Sequence, residues 1–169
     1  MLLTITPALF EKFPETRLGV VIAKGINNSG QHEAVLELLR LEHQTTAERI
    51  GSTPITEHPH ITPWREAYRA FGAKPKDHPS SIENLLRRVL KGNTLPHINT
   101  VVDIYNTISL RHLVPVGGED LDTLQGDVVL TLANDNEAPV TLLGEKEARP
   151  PYPGEVIYKD DIGTVCRRW

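Results

Sequence analysis

The sequence predicts an α+β fold with strands at both ends and three or four helices between them. Three observations predict it. Short β-rich runs stand near both ends of the 169 residues, helical periodicities cluster between Gln31 and Leu110, and the second half returns to strand patterns broken by Gly and Pro. Strand and helix do not alternate along the chain, so a doubly wound nucleotide-binding sheet is not expected. Nor is there a Gly-x-Gly-x-x-Gly fingerprint, a phosphate loop or a Gly-x-Ser-x-Gly elbow. The length suits a single domain over residues 1–169, large enough for a core without staples.

Taken in order, residues 1–5 read as a short strand and 7–13 as a turn of helix. Residues 17–26 (RLGVVIAKGI) form an apolar, β-branched run that predicts a central strand, closed by Asn27, Asn28, Ser29 and Gly30. Residues 31–50 read as a helix with Gly51 behind it, burying Ala34, Val35, Leu38, Leu39 and Leu41. Thr62 caps a short helix with Pro63 at its first position. There Trp64, Ala67, Tyr68 and Phe71 have core spacing, and a base-stacking role for Trp64 or Tyr68 is the alternative.

The next helix starts at the N-cap Ser80, with Glu83 completing a capping box. Ile82, Leu85, Leu86, Val89 and Leu90 make its buried stripe, Arg87, Arg88 and Lys91 lie on the other side, and Gly92 ends it. Residues 98–110 predict a further helix whose core face is Ile98, Val101, Val102, Tyr105 and Ile108. Asn99, Asp103 and Asn106 stack along the opposite line at i, i+4 and i+7. Asn and Asp are poor helix formers for a plain solvent face. The row reads either as a solvated stripe, or as a site or buried polar network. Residues 114–120 hold Pro115, Gly117 and Gly118, a backbone that a ligand can approach closely. Residues 128–133 and 140–143 predict strands, 145–153 a proline-rich loop, and 155–158 with 164–168 a hairpin.

Composition is ordinary globular, 39% hydrophobic and 24% charged. The net charge of −4 argues against wholesale coating of nucleic acid, but residues 65–91 hold seven cations against three acids. Such a patch can orient a phosphate backbone, although helix surfaces are often Lys/Arg-rich. A single cysteine, Cys166, allows no internal disulfide and fits a reducing cytoplasm; a lone strand cysteine usually serves packing. The N-terminal residues show neither a signal-peptide pattern nor a membrane anchor. His58 and His60 beside Glu57 have ligand chemistry, yet Pro59 and the lack of a spaced third ligand argue against a metal site. No cofactor or metal is expected.

Four strings in the middle of the chain resemble one family. They are Arg87-Arg88-Val89, Leu95-Pro96-His97-Ile98-Asn99, Val101-Val102-Asp103-Ile104-Tyr105-Asn106 and Asp120-Leu121-Asp122-Thr123-Leu124. They resemble the B3/B4 editing domain of the phenylalanyl-tRNA synthetase β-subunit, where the run reads R-R-L, P-I-N-N, V-V-D-V-T-N and D-L-D-K-L. The resemblance covers about residues 79–124, with weaker support through 155–163. It is closer still to free-standing proteins that carry this domain without a synthetase. It implies a mixed β-sandwich-like core with helices, the fold shared with a domain of tRNA-lysidine synthetase, and removal of a wrong amino acid, notably tyrosine, from charged tRNA. The ester would be hydrolysed by a positioned water, without metal or covalent nucleophile. A pocket that hydrogen-bonds a substrate hydroxyl rejects the analogue lacking it by about 10⁴-fold or more.

On this reading tRNA or aminoacyl-tRNA is the partner. Arg87, Arg88 and Lys91 contact phosphate, Asn99, Asp103 and Asn106 line or brace the amino-acid pocket, and Gly117 and Gly118 let backbone amides reach the carbonyl. No side chain is assigned as catalytic. The cationic row and the Asn/Asp row are expected to face one shared cleft. Two departures stand out: Gly117 occupies the place of the family's histidine in Pro-x-His-x-x-Asp, and the family domain continues beyond the position of Trp169. Another chain completing the site, or a fragment of a longer domain, is the corresponding expectation. The competing readings are a non-catalytic tRNA- or amino-acid-binding module and an oligomerising scaffold, a homo-oligomer in which the polar row serves only structure.

Overall fold

The structure, a computed structural model, describes residues 1–141 and 146–169. The α+β class holds, with five α-helices and a four-stranded mixed sheet among the described residues. The chain divides into two compact units, one made of Met1–Gly19, Ala67–His78 and Glu119–Trp169, the other of Val20–Glu66 and Pro79–Gly118. One of the four places where the chain passes between them falls inside the helix α3 (Thr62–Ala70).

The first unit is built on the sheet. Strand β1 (Leu3–Ile5) runs parallel to β2 (Val128–Leu132), with Leu3 opposite Val128. β2 pairs antiparallel with β3 (Val156–Lys159), and β3 with β4 (Thr164–Arg167), giving the order β1-β2-β3-β4. The short helix α1 (Pro7–Lys12) follows β1. Asp160 organises the predicted β3–β4 hairpin: its carboxylate accepts from the backbone N–H groups of Ile162, Gly163 and Gln125. Those bonds, Gln125's first, hold its carboxyl below the usual carboxylate range. Gly126 has φ +73°, a left-handed conformation that favours glycine, and a side chain there would displace the Asp161 carboxylate. Tyr68 and Phe71 are buried as their spacing predicts, and the rings of Phe71 and Trp169 both stand edge-on to Phe13.

The second unit is helical. Helix α2 (Glu33–Ile50) packs on α5 (Thr100–His112) and α4 (Ser81–Leu90), and a 3₁₀ turn spans Ile55–Glu57. Its core is Leu39, Ile50, Ile61, Ile82, Leu86, Val89, Leu110 and Leu113. Buried Glu42 on α2 takes Arg111 Nε at 2.8 Å, and Arg49 donates to the Leu110 carbonyl, so charge as well as packing joins α2 to α5. Leu113 closes α5 in the left-handed region at φ 54°, its side chain buried.

Four sequence expectations are corrected. Residues 17–26 form no strand: Val20, Val21, Ile22 and Ile26 lie exposed, because a β-branched run becomes a strand only where a neighbour completes its ladder. On α2 the buried residues are Leu39, Glu42, Thr46 and Ile50, while Leu38 and Leu41 face outward. Only half of the capping box forms, Ser80 Oγ accepting from Glu83 N–H, since the Glu83 carboxylate is drawn to arginines instead. Of the predicted core face of α5, Val101, Val102 and Tyr105 are half-buried, but its two isoleucines are not. Ile98 is 63% exposed and Ile108 40%, whereas Asp103, Thr107 and Leu110 are buried. The predicted strand at 140–143 and loop at 145–153 lie partly outside the described residues; within them Val140 bridges Arg149.

Candidate functional site at the start of helix α5

Two asparagines start α5. Asn99 is its N-cap and accepts from Val102 N–H at 2.9 Å, while Asn28 accepts from Val101 N–H at 3.0 Å. Both use first-turn amides that the helix itself leaves without partners. One turn on, Asp103 is 1% exposed, and its Oδ2 meets His97 Nδ1 at 2.5 Å. When the carboxylate is ionised it only accepts, and the proton of this bond then sits on Nδ1. Asp103 Oδ1 is buried with no hydrogen-bond partner, and so is the hydroxyl of Thr100, three residues earlier on the helix. Such orphan groups are rare, because each costs roughly 1–3 kcal/mol of desolvation. They mark a place where the fold keeps polar capacity unspent.

His97 also lines a half-open cavity of about 150 Å³, together with Leu36, Leu39, Arg40, His43, Thr94 and Leu95. Its walls are α2 and the connection from α4 to α5. Arg40 is held in a fork by Glu37, and His43 Nε2 lies 3.4 Å from the Val89 carbonyl.

The sequence-predicted residues fall into three groups. Asn99 and Asp103 come together at the start of α5, and Asn106 lies half-buried a turn beyond. Gly118 passes the Tyr105 ring of α5, where an added side chain would begin 3.5 Å from the ring, whereas Gly117 faces open space. Among the cations, Arg87 lies on Glu83 Oε1 at 2.7 Å, sharing that fully buried carboxylate with Arg65 at 2.6 Å. Arg88 and Lys91 are exposed. None of these eight residues lines the 150 Å³ cavity, so this hollow is not one shared by the cationic and Asn/Asp rows. Sequence reasoning missed His97 and Asn28. His97 had a signal, standing two residues before an Asn N-cap and six before an Asp.

Elsewhere the chemistry is quiet. Burial, and then the charge of Glu119, push the Cys166 thiol up to about 11, so it stays protonated and is a poor nucleophile near neutrality. Tyr158 is pushed to about 12 by burial first, then by Cys166 and Glu119. Among the described residues no three His, Cys, Asp or Glu side chains converge as a metal site, and no described helix is long and apolar enough to cross a membrane.

The B3/4 domain model matches residues 63–169, more than half of the chain. The chain therefore belongs to the B3/4 domain family. No curated protein and no solved structure matches it.

Proposed function

We propose that the protein is an aminoacyl-tRNA editing-like domain acting in trans, which hydrolyses the ester of a mischarged tRNA with a positioned water. Membership of the B3/4 family supports the class, and the strings shared with the synthetase editing domain support the substrate. The observation that carries the reading is the first turn of α5. Buried Asp103 keeps one oxygen without a partner beside the unpartnered hydroxyl of Thr100, polar capacity that suits a small polar group. An ester is an activated bond, so positioning and electrostatic stabilisation supply much of the acceleration. Arg88 and Lys91 hold the phosphate backbone; Arg87 contributes less, its charge already answered by Glu83.

Gly117 at the family's histidine position favours a second reading, a binding module for tRNA or an amino acid that performs no chemistry. Deacylation of a panel of mischarged tRNAs separates the two. Release of the amino acid above the spontaneous rate supports the editing reading. Salt-sensitive tRNA binding without release supports the module.

A further inference from the structure

We propose that His97 is the general base of this hydrolysis, that Asp103 is its positioning residue, and that the cavity beside His97 holds the attacking water and the ester carbonyl. The inference rests on the editing reading and goes beyond it, since neither the family match nor the shared strings assign a role to His97.

Three observations converge on it. Asp103 is buried and reaches His97 Nδ1, which holds the ring in place, and we assign the shared proton to Nδ1 with Asp103 as carboxylate. With Nδ1 donating, Nε2 carries the free lone pair. The ring itself is 23% exposed and forms part of the cavity wall, so it is both oriented from behind and reachable from the front. The volume, about 150 Å³, is that of a cavity able to hold a benzene-sized group or about five waters. Asp103 from α5 bonds the ring, and the cavity wall adds Arg40, paired with Glu37, and His43 from α2.

The step balances without a co-reactant. His97 Nε2 takes a proton from water as the water oxygen bonds to the ester carbonyl carbon. The tetrahedral intermediate then expels the ribose oxygen, breaking the carbonyl carbon–oxygen bond, and the proton on Nε2 passes to that leaving oxygen. Free amino acid and a tRNA with its terminal hydroxyl result, the new carboxyl losing its proton to solvent. Replacing Asp103 by Asn gives Nδ1 a donor instead of an acceptor, which moves the ring proton to Nε2 and removes the base.

The test is single-turnover deacylation of mischarged tRNAs by the full chain, its His97→Gln variant and its Asp103→Asn variant, with tRNA affinity and denaturation midpoint measured in parallel. The expected result is a loss of about 10²-fold or more in rate for both variants, with tRNA affinity and midpoint near wild type and the acidic limb of the pH–rate profile abolished in His97→Gln. A wild type that deacylates while His97→Gln keeps its rate within about twofold overturns this inference and leaves the editing reading standing. Loss of rate only in step with unfolding or lost tRNA affinity overturns it too. A wild type that cleaves no ester overturns both.

Discussion

Two buried carboxylates, one in each unit, show how differently the fold treats the same group. Glu155, in the sheet unit, is 2% exposed and saturated: Arg167 grips both oxygens at 2.9 and 2.8 Å, Arg168 adds a bond at 3.1 Å, and the Tyr152 N–H another at 3.0 Å. Burial alone would raise its pKa, but these donors outweigh burial and hold it below the ordinary value. Asp103, in the helical unit, is as deeply buried, yet it has one imidazole on one oxygen and nothing on the other. A carboxylate with every lone pair answered is a fastener. One left half-answered behind a histidine at a cavity wall is a group held ready. Glu83 lies between them: Oε2 is unpartnered, but two guanidinium groups share Oε1.

The contrast breaks most visibly by mutation. Glu155→Ala leaves the 2%-exposed side chain of Arg167 without its counter-charge and should cost about 3–5 kcal/mol in chemical denaturation. Asp103→Asn should cost no more than about 1 kcal/mol in the same experiment, because the amide can keep the hydrogen bond to His97. Equal losses would erase the distinction between fastener and reserved group. Next in size, Ser80→Ala removes the hydroxyl that caps α4 and should cost about 1 kcal/mol.

Within the sheet unit, burial and hydrogen bonding set what titration reaches. Cys166 should react with iodoacetamide at pH 8 about 100-fold more slowly in the native chain than in the denatured one, because a thiol held near 11 is almost wholly protonated. Alkylation at the denatured rate would contradict its burial. For Glu155 and Asp160 the folded pKa lies below the unfolded one. Each therefore adds stability that is complete above the unfolded pKa and is lost as pH falls through the folded one. Denaturation midpoints followed down from pH 6 should fall through the carboxylate range, and Asp160→Asn should show a shallower fall. An unchanged slope would remove the hairpin from the acid response.

Much of this architecture was legible in the sequence. Local signals that agree with one another survived: Ser80 as cap, the stripe of α4, the 155–168 hairpin, Tyr68 and Phe71 as core. What failed depended on partners distant in sequence. The run at 17–26 has strand propensity, but the parallel neighbour of β2 is the N-terminal β1, a pairing no local pattern announces. In α5 the apolar and polar faces compete for the interior. Apolar periodicity favours Ile98 and Ile108, yet the fold buries Asp103 and Thr107, because Asp103 finds His97 and the Thr107 hydroxyl finds the Asp103 carbonyl at 2.8 Å. The Asn/Asp row was recognisable as unusual from residue type alone. Its direction was not, since that is decided by His97, a side chain in the connection before the helix.

The most direct measurement is the tautomer of His97, read by ¹H–¹⁵N NMR of the ring nitrogens at pH 8, where an ordinary histidine is neutral. The expected result is a protonated Nδ1, with its hydrogen shifted downfield by the bond to Asp103, and a bare Nε2. A proton on Nε2, or the averaged signals of a freely exchanging ring, would contradict it.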